Sequence, residues 1–361
     1  MSARDTTTTP DARVSRWLTR PLLLALVTMF TVAAAAFAAG LVLAADDDAG
    51  GQGSDVGAPH GTIDGDANDH AAMTGHNAPA PGGPNDLDHL LYPPKATPHA
   101  PGTVKEFTLI AEETDVEIAE GVTFPAWTFR TPDQERGTVP APTIRVTEDD
   151  LVRITLKNAS SHPHTIHTHG IHAASQDGVL ETVAPGESFT YEFVAKPGKL
   201  QLYHCHAAPL KKHIHKGLYG MFIIDPKTPP EPAKELVMMM NGYDTDGNGE
   251  NNFYTVNGKA FYYAKYPIKV KSGELVRIYI GNMTEFDLIN SFHLHGNFFR
   301  YWPTGYGNPS QETDMITQAQ GERGIIEVRF GAPGTYMFHA HQSEFADLGW
   351  MGFFEVEEGS N

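Results

Sequence analysis

The strongest constraint on this chain is a pattern of histidines that occurs twice. Four His-x-His pairs, His167/His169, His204/His206, His293/His295 and His339/His341, fall at matched places in two stretches of sequence. Leu151-Val152-Arg153-Ile154 recurs as Leu275-Val276-Arg277-Ile278, Asn158 matches Asn282, and Pro197-Gly198 matches Pro333-Gly334. Gly217-Leu218-Tyr219-Gly220 has its counterpart in Gly349-Trp350-Met351-Gly352. The copies are offset by 124 to 136 residues, one domain length. Short alternating runs broken by turn residues surround the motifs, and helical periodicity is absent. The expected fold is therefore all-β, with two similar Greek-key β-sandwiches over residues 104–227 and 234–361. Pro226, Pro229, Pro230 and Pro232 supply a stiff connection between them.

The same pattern constrains the chemistry. On a strand, residues i and i+2 project to one face, so each pair presents two imidazoles side by side. Neutral imidazole suits copper, zinc, iron or nickel. Eight imidazoles exceed what one tetrahedral ion can use. They suit a cluster of several ions, filled when pairs from two domains face each other. Cys205, the single cysteine, excludes an intrachain disulfide. It lies between His204 and His206, so its thiol points to the opposite face of the strand. His164 precedes His167 by three residues, and His213 follows Cys205 by eight. A thiolate with two imidazoles is the trigonal set of a blue-copper site. Leu218 stands where a weak axial Met often sits, and its inability to coordinate is expected to raise the reduction potential. His215 is the alternative ligand to His213. Copper on one face of the strand and a cluster on the other make an electron-transfer unit. The edge of the His213 ring is its expected exposed port, beside Lys211, Lys212 and Lys216.

Outside the repeat, Arg4, Arg13, Arg16 and Arg20 precede an uncharged run, Pro21 to Ala45, that ends at Asp46-Asp47-Asp48. This arrangement reads as export, with residues 1–45 either a signal peptide or a membrane anchor. Residues 46–103 are rich in Ala, Gly, Pro, Asp and His and read as a disordered, solvated tether. His60, His70, Met73, His76, His89 and His99 lie in it, either incidentally or as copper collectors. The net charge of −18 argues against nucleic-acid binding. Asp244-x-Asp246-x-Asn248-Gly249 reads as a turn, Met238 to Met240 as core, and His162 and His172 as polar loop residues. Asp177 and Glu344 are the carboxylates placed to carry protons to a cluster, Glu344 being more simply a solvated acid.

With these motifs, residues 104–361 resemble the two-domain multicopper oxidases, laccase-like duplicates of the cupredoxin domain. The resemblance rests on His164-Thr-Ile-His167-Thr-His169-Gly170, Tyr203-His204-Cys205-His206 with His213 and Leu218, His293-Leu-His295-Gly296, and His339-Ala-His341. It implies His164, Cys205 and His213 as type 1 copper ligands and His167 and His293 as type 2 ligands. It implies His169, His204, His206, His295, His339 and His341 for the type 3 pair. Four coppers per subunit follow, one type 1, one type 2 and two type 3. The implied reaction takes electrons singly from a small-molecule donor (a phenol, an aromatic amine or Cu(I)) and reduces O2 to water. The second copy departs from the pattern. Asn290, Ala340, Phe345 and Trp350 stand at its type 1 positions, so type 1 copper is implied in the first domain only. The implied assembly is a homotrimer with clusters between subunits. A copper nitrite reductase is the rival within this resemblance. It shares the two-domain trimeric plan but has a single interface copper and an Asp where His167 stands here. A non-enzymatic copper-binding or electron-carrier protein is the rival of another class.

Overall fold

The computed structural model describes residues 82–359; the apolar N-terminal run and residues 46–81 of the expected tether lie outside the described residues. Among the described residues no helix is long and apolar enough to cross a membrane. The first sandwich is built from β1 (Val104–Ala119), β2 (Val122–Arg130), β3 (Ile144–Thr147), β4 (Leu151–Asn158), β5 (His167–Thr168), β6 (Ser188–Val194), β7 (Leu200–His204) and β8 (Tyr219–Asp225). The second uses β9 (Lys234–Tyr243), β10 (Phe253–Val256), β11 (Ile268–Lys271), β12 (Val276–Asn282), β13 (Ile289–Leu294), β14 (Phe299–Pro303), β15 (Gln311–Thr313), β16 (Met315–Ala319), β17 (Arg323–Val328), β18 (Gly334–His339) and β19 (Met351–Glu357). Sheet orders are β2-β1-β4-β6 and β3-β8-β7-β5 in the first sandwich, and β10-β9-β12-β17-β14-β15 and β11-β19-β18-β13-β16 in the second.

The repeat is visible in the pairings. β1 runs parallel to β4 and β3 to β8; β9 runs parallel to β12 and β11 to β19. β4 alternates cleanly: Val152, Ile154 and Leu156 enter the core while Arg153, Thr155 and Lys157 do not. Its copy β12 is buried on both faces. Val276, Ile278 and Ile280 face the second core, and Tyr279 faces a third cluster shared by both sandwiches. That shared cluster joins Leu200, Leu202, Met221 and Ile223 to Val237, Met239, Tyr243 and Ile325. The Met238–Met240 run is core throughout, as expected for soft, adaptable side chains.

Gly217 and Gly349 explain one repeated motif. Both have positive φ, +114° and +117°. A Cβ at Gly217 would lie 2.3 Å from the Val139 side chain, and one at Gly349 would lie 2.4 Å from Ala260. Only glycine meets both demands.

Part of the expected tether is packed. Helix α1 (Asp88–Leu91) and the residue before it bury Leu87, Leu90 and Leu91 in the second core. Tyr262 Oη donates to the Gly83 carbonyl at 2.8 Å, and Lys259 pairs with Asp86 at 2.5 Å. The segment then crosses to the first sandwich. There Arg145 donates to the Pro94 carbonyl at 2.9 Å, and the His99 ring meets the Asp150 carboxylate at 2.8 Å through Nδ1 and Oδ1. Three apolar side chains within residues 87–91 are enough to anchor it, so the solvated stretch does not extend to residue 103.

Candidate metal centres

The first centre forms where β7 ends. Past it, a loop leads into helix α2 (Leu210–His215), which brings His213 back over Cys205. The Cys205 Sγ lies 3.2 Å from His213 Nδ1 and 3.8 Å from His164 Nδ1, and the two Nδ1 atoms are 3.2 Å apart. All three residues are at most 2% exposed. Burial, with the neighbouring His213, pushes the His164 imidazole down to about 4; burial does the same to His213. Both are neutral near pH 7, the form that ligates metals. Burial raises the Cys205 thiol, so a thiolate here needs a cation in place of its proton. The Thr165 amide donates to Sγ at 3.4 Å. Leu218 is fully buried and accepts the Cys205 amide at 2.9 Å. His215 is not part of this group. Its Nε2 accepts the Asp244 amide at 3.1 Å, and its ring packs edge-on against Phe124 and Phe286.

Two imidazole quartets lie elsewhere. In the first, β5 pairs with β7 so that His167 sits opposite His204. His169 and His204 approach through Nε2 at 3.2 Å, and the His167 ring is 5.4 Å from His206. In the second, β13 pairs with β18 so that His293 sits opposite His339. His295 and His339 approach through Nε2 at 2.9 Å, and His293 is 5.4 Å from His341. The His-x-His pairs thus occupy strand ends, one ring on the ladder and one just beyond it.

The ring orientations are fixed by backbone carbonyls. Nδ1 of His167 donates to the Asp177 carbonyl at 2.8 Å, and Nδ1 of His293 to the Asp314 carbonyl at 3.0 Å. Nδ1 of His204 donates to the Cys205 carbonyl at 2.9 Å, and His339 does the same to Ala340 at 2.6 Å. With Nδ1 used as a donor, Nε2 is left as the ligating atom in all four. Burial lowers His169 to about 3, aided by Arg323, and His204 to about 4. The donor sets therefore fit metal ions: three convergent atoms with a sulfur in one place, and Nε2 groups turned toward one another in the others.

Profiles of the multicopper oxidase family match residues 122–229 and 227–360. The chain belongs to the multicopper oxidase family. A crystal structure of a multicopper oxidase is 50% identical, with a TM-score of 0.71, covering 75% of this chain and 97% of that one. The Blue Copper Oxidase from Nitrosomonas europaea is 28% identical, with a TM-score of 0.63, over 70% of this chain and 86% of its own. The Copper-containing nitrite reductase of Neisseria meningitidis is 29% identical over 291 residues, 74% of this chain and 73% of that protein. The sandwiches are cupredoxin-like, and the chain is a copper-binding oxidoreductase of this family.

As in the sequence reading, this multicopper oxidase has no thiolate site in its second sandwich. Ala340 and Asn290 are fully buried, and Asn290 donates to Thr284 at 3.1 Å. Phe345 stacks on Tyr254 at 3.8 Å, and Trp350 packs between Phe292 and Phe338. Asp177 lies beside the first quartet: its carboxylate is 3.3 Å from His167 Nδ1 and accepts His172 Nε2 at 2.8 Å. His172 lies in a loop, as expected, with its side chain covered and paired to Asp177. Glu344 is exposed on helix α4, whose range is Ser343–Asp347 (α3 being Tyr262–Lys265). Asp244 caps its own turn, accepting amides of Gly247, Asn248 and Gly249.

Two expectations need correction or addition. The His213 edge is not an exposed port, because Trp127 lies against it at 5.1 Å between ring centres. Asp314, missed in the sequence, matches Asp177: its carbonyl holds His293, and its carboxylate lies 3.8 Å from the same Nδ1. Its spacing from His295 differs from that of Asp177 from His169, so the sequence carried no signal for it.

Proposed function

We propose that this chain couples one-electron oxidation of a small reducing substrate at a type 1 copper to four-electron reduction of O2 to water at a trinuclear copper cluster between subunits. Four coppers per chain and a homotrimer belong to the same reading. The observation that carries it is the pair of matched quartets, each only half of a cluster. The flanks of both expose apolar side chains: Ile171, Val179 and Leu180 beside the first, Phe298 and Met315 beside the second. Met315 sits directly opposite His293 on the sheet. Exposed apolar groups around unfinished ligand sets favour closure by another copy.

Copper at these sites supplies single-electron acceptance beside the thiolate and multi-electron oxygen reduction at the cluster. The chain's residues do the rest. Cys205 lies between two cluster histidines, and the His204 Nδ1–H bond to the Cys205 carbonyl adds a second short route between the centres. Asp177, tethered by His172, holds a carboxylate beside His167 where protons are consumed. Residues 1–45 support export, so we place the folded part outside the cytoplasm, either free or tethered.

Nitrite reduction is the second reading, favoured by the Neisseria relative. The presence of His167 and His206 in one quartet weighs against a single interface ion. Copper analysis decides: four per chain with O2 uptake on a phenol supports the oxidase, and two per chain with nitrite turnover refutes it. Copper bound without any turnover supports the carrier reading.

A further inference from the structure

Electron entry cannot use an exposed ligand edge here. His164 and Cys205 are fully buried, and His213 is 2% exposed. The ring that covers them is Trp127, on β2, which is itself 8% exposed. Its centre lies 5.1 Å from that of His213, 5.8 Å from His164 and 4.3 Å from His162. The Trp127 amide donates to the Lys216 carbonyl at 2.9 Å, which ties β2 to the end of α2. The placement is therefore held from both sides of the thiolate site.

We infer that the donor's electron enters through the Trp127 indole, which bridges a surface seat to the buried His213 imidazole. The seat is built from the Trp127 edge, the half-exposed His162 ring and the Lys212 ammonium, 4.9 Å from the indole centre. Glu113 is the acid facing it, and it is occupied by Ser161 and His162. Aromatic faces with a cation beside them suit an electron-rich phenol in its anionic form. The phenol gives its proton to water as it binds, and the resulting phenolate would then give up one electron, leaving as a phenoxyl radical while a cupric ion held at the thiolate site would become cuprous. The indole forms and breaks no bond and ends unchanged.

This rests on the type 1 assignment in the proposed function but not on the identity of the acceptor. The test is anaerobic stopped-flow reduction of copper-loaded protein by 2,6-dimethoxyphenol, followed as bleaching of the thiolate-to-copper band. Trp127→Leu is expected to slow that step at least about tenfold, with the band and copper content as in the wild type. Trp127→Tyr is expected to recover most of the rate. Trp127→Phe keeps a ring in the slot, so it preserves folding, and still falls below wild type. In the metal-free protein, 2,6-dimethoxyphenol should quench indole emission, and Trp127→Leu should abolish that quenching. A wild-type bleaching rate in any folded Trp127→Leu or Trp127→Phe protein overturns the inference, as does unchanged quenching. A copper count of two would defeat the oxidase reading and leave this one standing.

Discussion

Leu180 and Phe298 offer a direct way to separate the two kinds of copper centre. They flank opposite half-sites and are 78% and 66% exposed. Fully burying a side chain of this kind stabilises by about 1.5–3 kcal/mol. Scaled by those exposures, the pair would contribute about 2–4 kcal/mol at each contact of the proposed assembly, roughly a 30-fold to 700-fold change in its dissociation constant. Glutamate at both positions removes that term and adds the cost of desolvating two like charges. The thiolate site lies wholly within one chain, with ligand atoms 3.2–3.8 Å apart, and should be untouched. The Leu180→Glu/Phe298→Glu protein is therefore expected to sediment as a monomer and to keep its blue absorption. It should lose most of the three remaining coppers and its O2 uptake. Sedimentation velocity combined with copper analysis reads all of this. A monomeric variant that retains four coppers per chain would refute the reasoning, because each chain would then complete its own cluster.

Other expectations test separate parts of the structure. Cys205→Ser should abolish the visible thiolate band and donor oxidation while the imidazole quartets still take up copper, as seen by absorption and metal analysis. In the metal-free protein, burial holds His164, His204 and His213 near 4, below the usual 6.5. Such groups bind protons more readily when unfolded, so stability should be full above about pH 6.5 and fall as pH drops toward 4. A melting temperature that stays flat over that window would contradict the buried, neutral state of these rings. Leu90→Ala should cost about 2–4 kcal/mol and lower the melting temperature, because Leu90 is packed in the second core. A surface-like effect under 0.5 kcal/mol would mean that α1 is not an integral part of that sandwich.

What could be read in advance was whatever a strand's period of two makes local. The His-x-His pairs, the cysteine between two of them and the strand motifs all lie within a few residues of their partners. Trp127 is 37 residues before His164 in sequence and reaches it only through the β2 ladder. The carbonyls of Asp177 and Asp314 act through backbone, which carries no side-chain signature. Arg153 and Arg277 occupy the same place in an identical tetrapeptide yet meet opposite surroundings. Arg153 is half-exposed and pairs with Glu192 at 2.5 Å. Arg277 is 2% exposed and pairs with Glu327 at 2.7 Å, because the Tyr306 ring, Glu235 and the Glu231 carbonyl close over it.

The same contrast explains why the two copies diverged at their thiolate positions and not at their histidine pairs. In the second sandwich the former site has been repacked as core. Trp350 contacts Phe292 and Phe338, and the Phe345 ring stacks on Tyr254. Its indole nitrogen is buried without a partner, a cost that only tight apolar packing around the ring can offset. A cysteine at Ala340 would face this filled volume with no imidazole at Asn290 or Phe345, so the loss is not reversible by one substitution. The quartet histidines sit at strand ends on the opposite side of β18, where nothing among the described residues covers His295 or His341. Packing could claim the inner face without touching the outer one, which leaves one thiolate site and two imidazole quartets among the described residues.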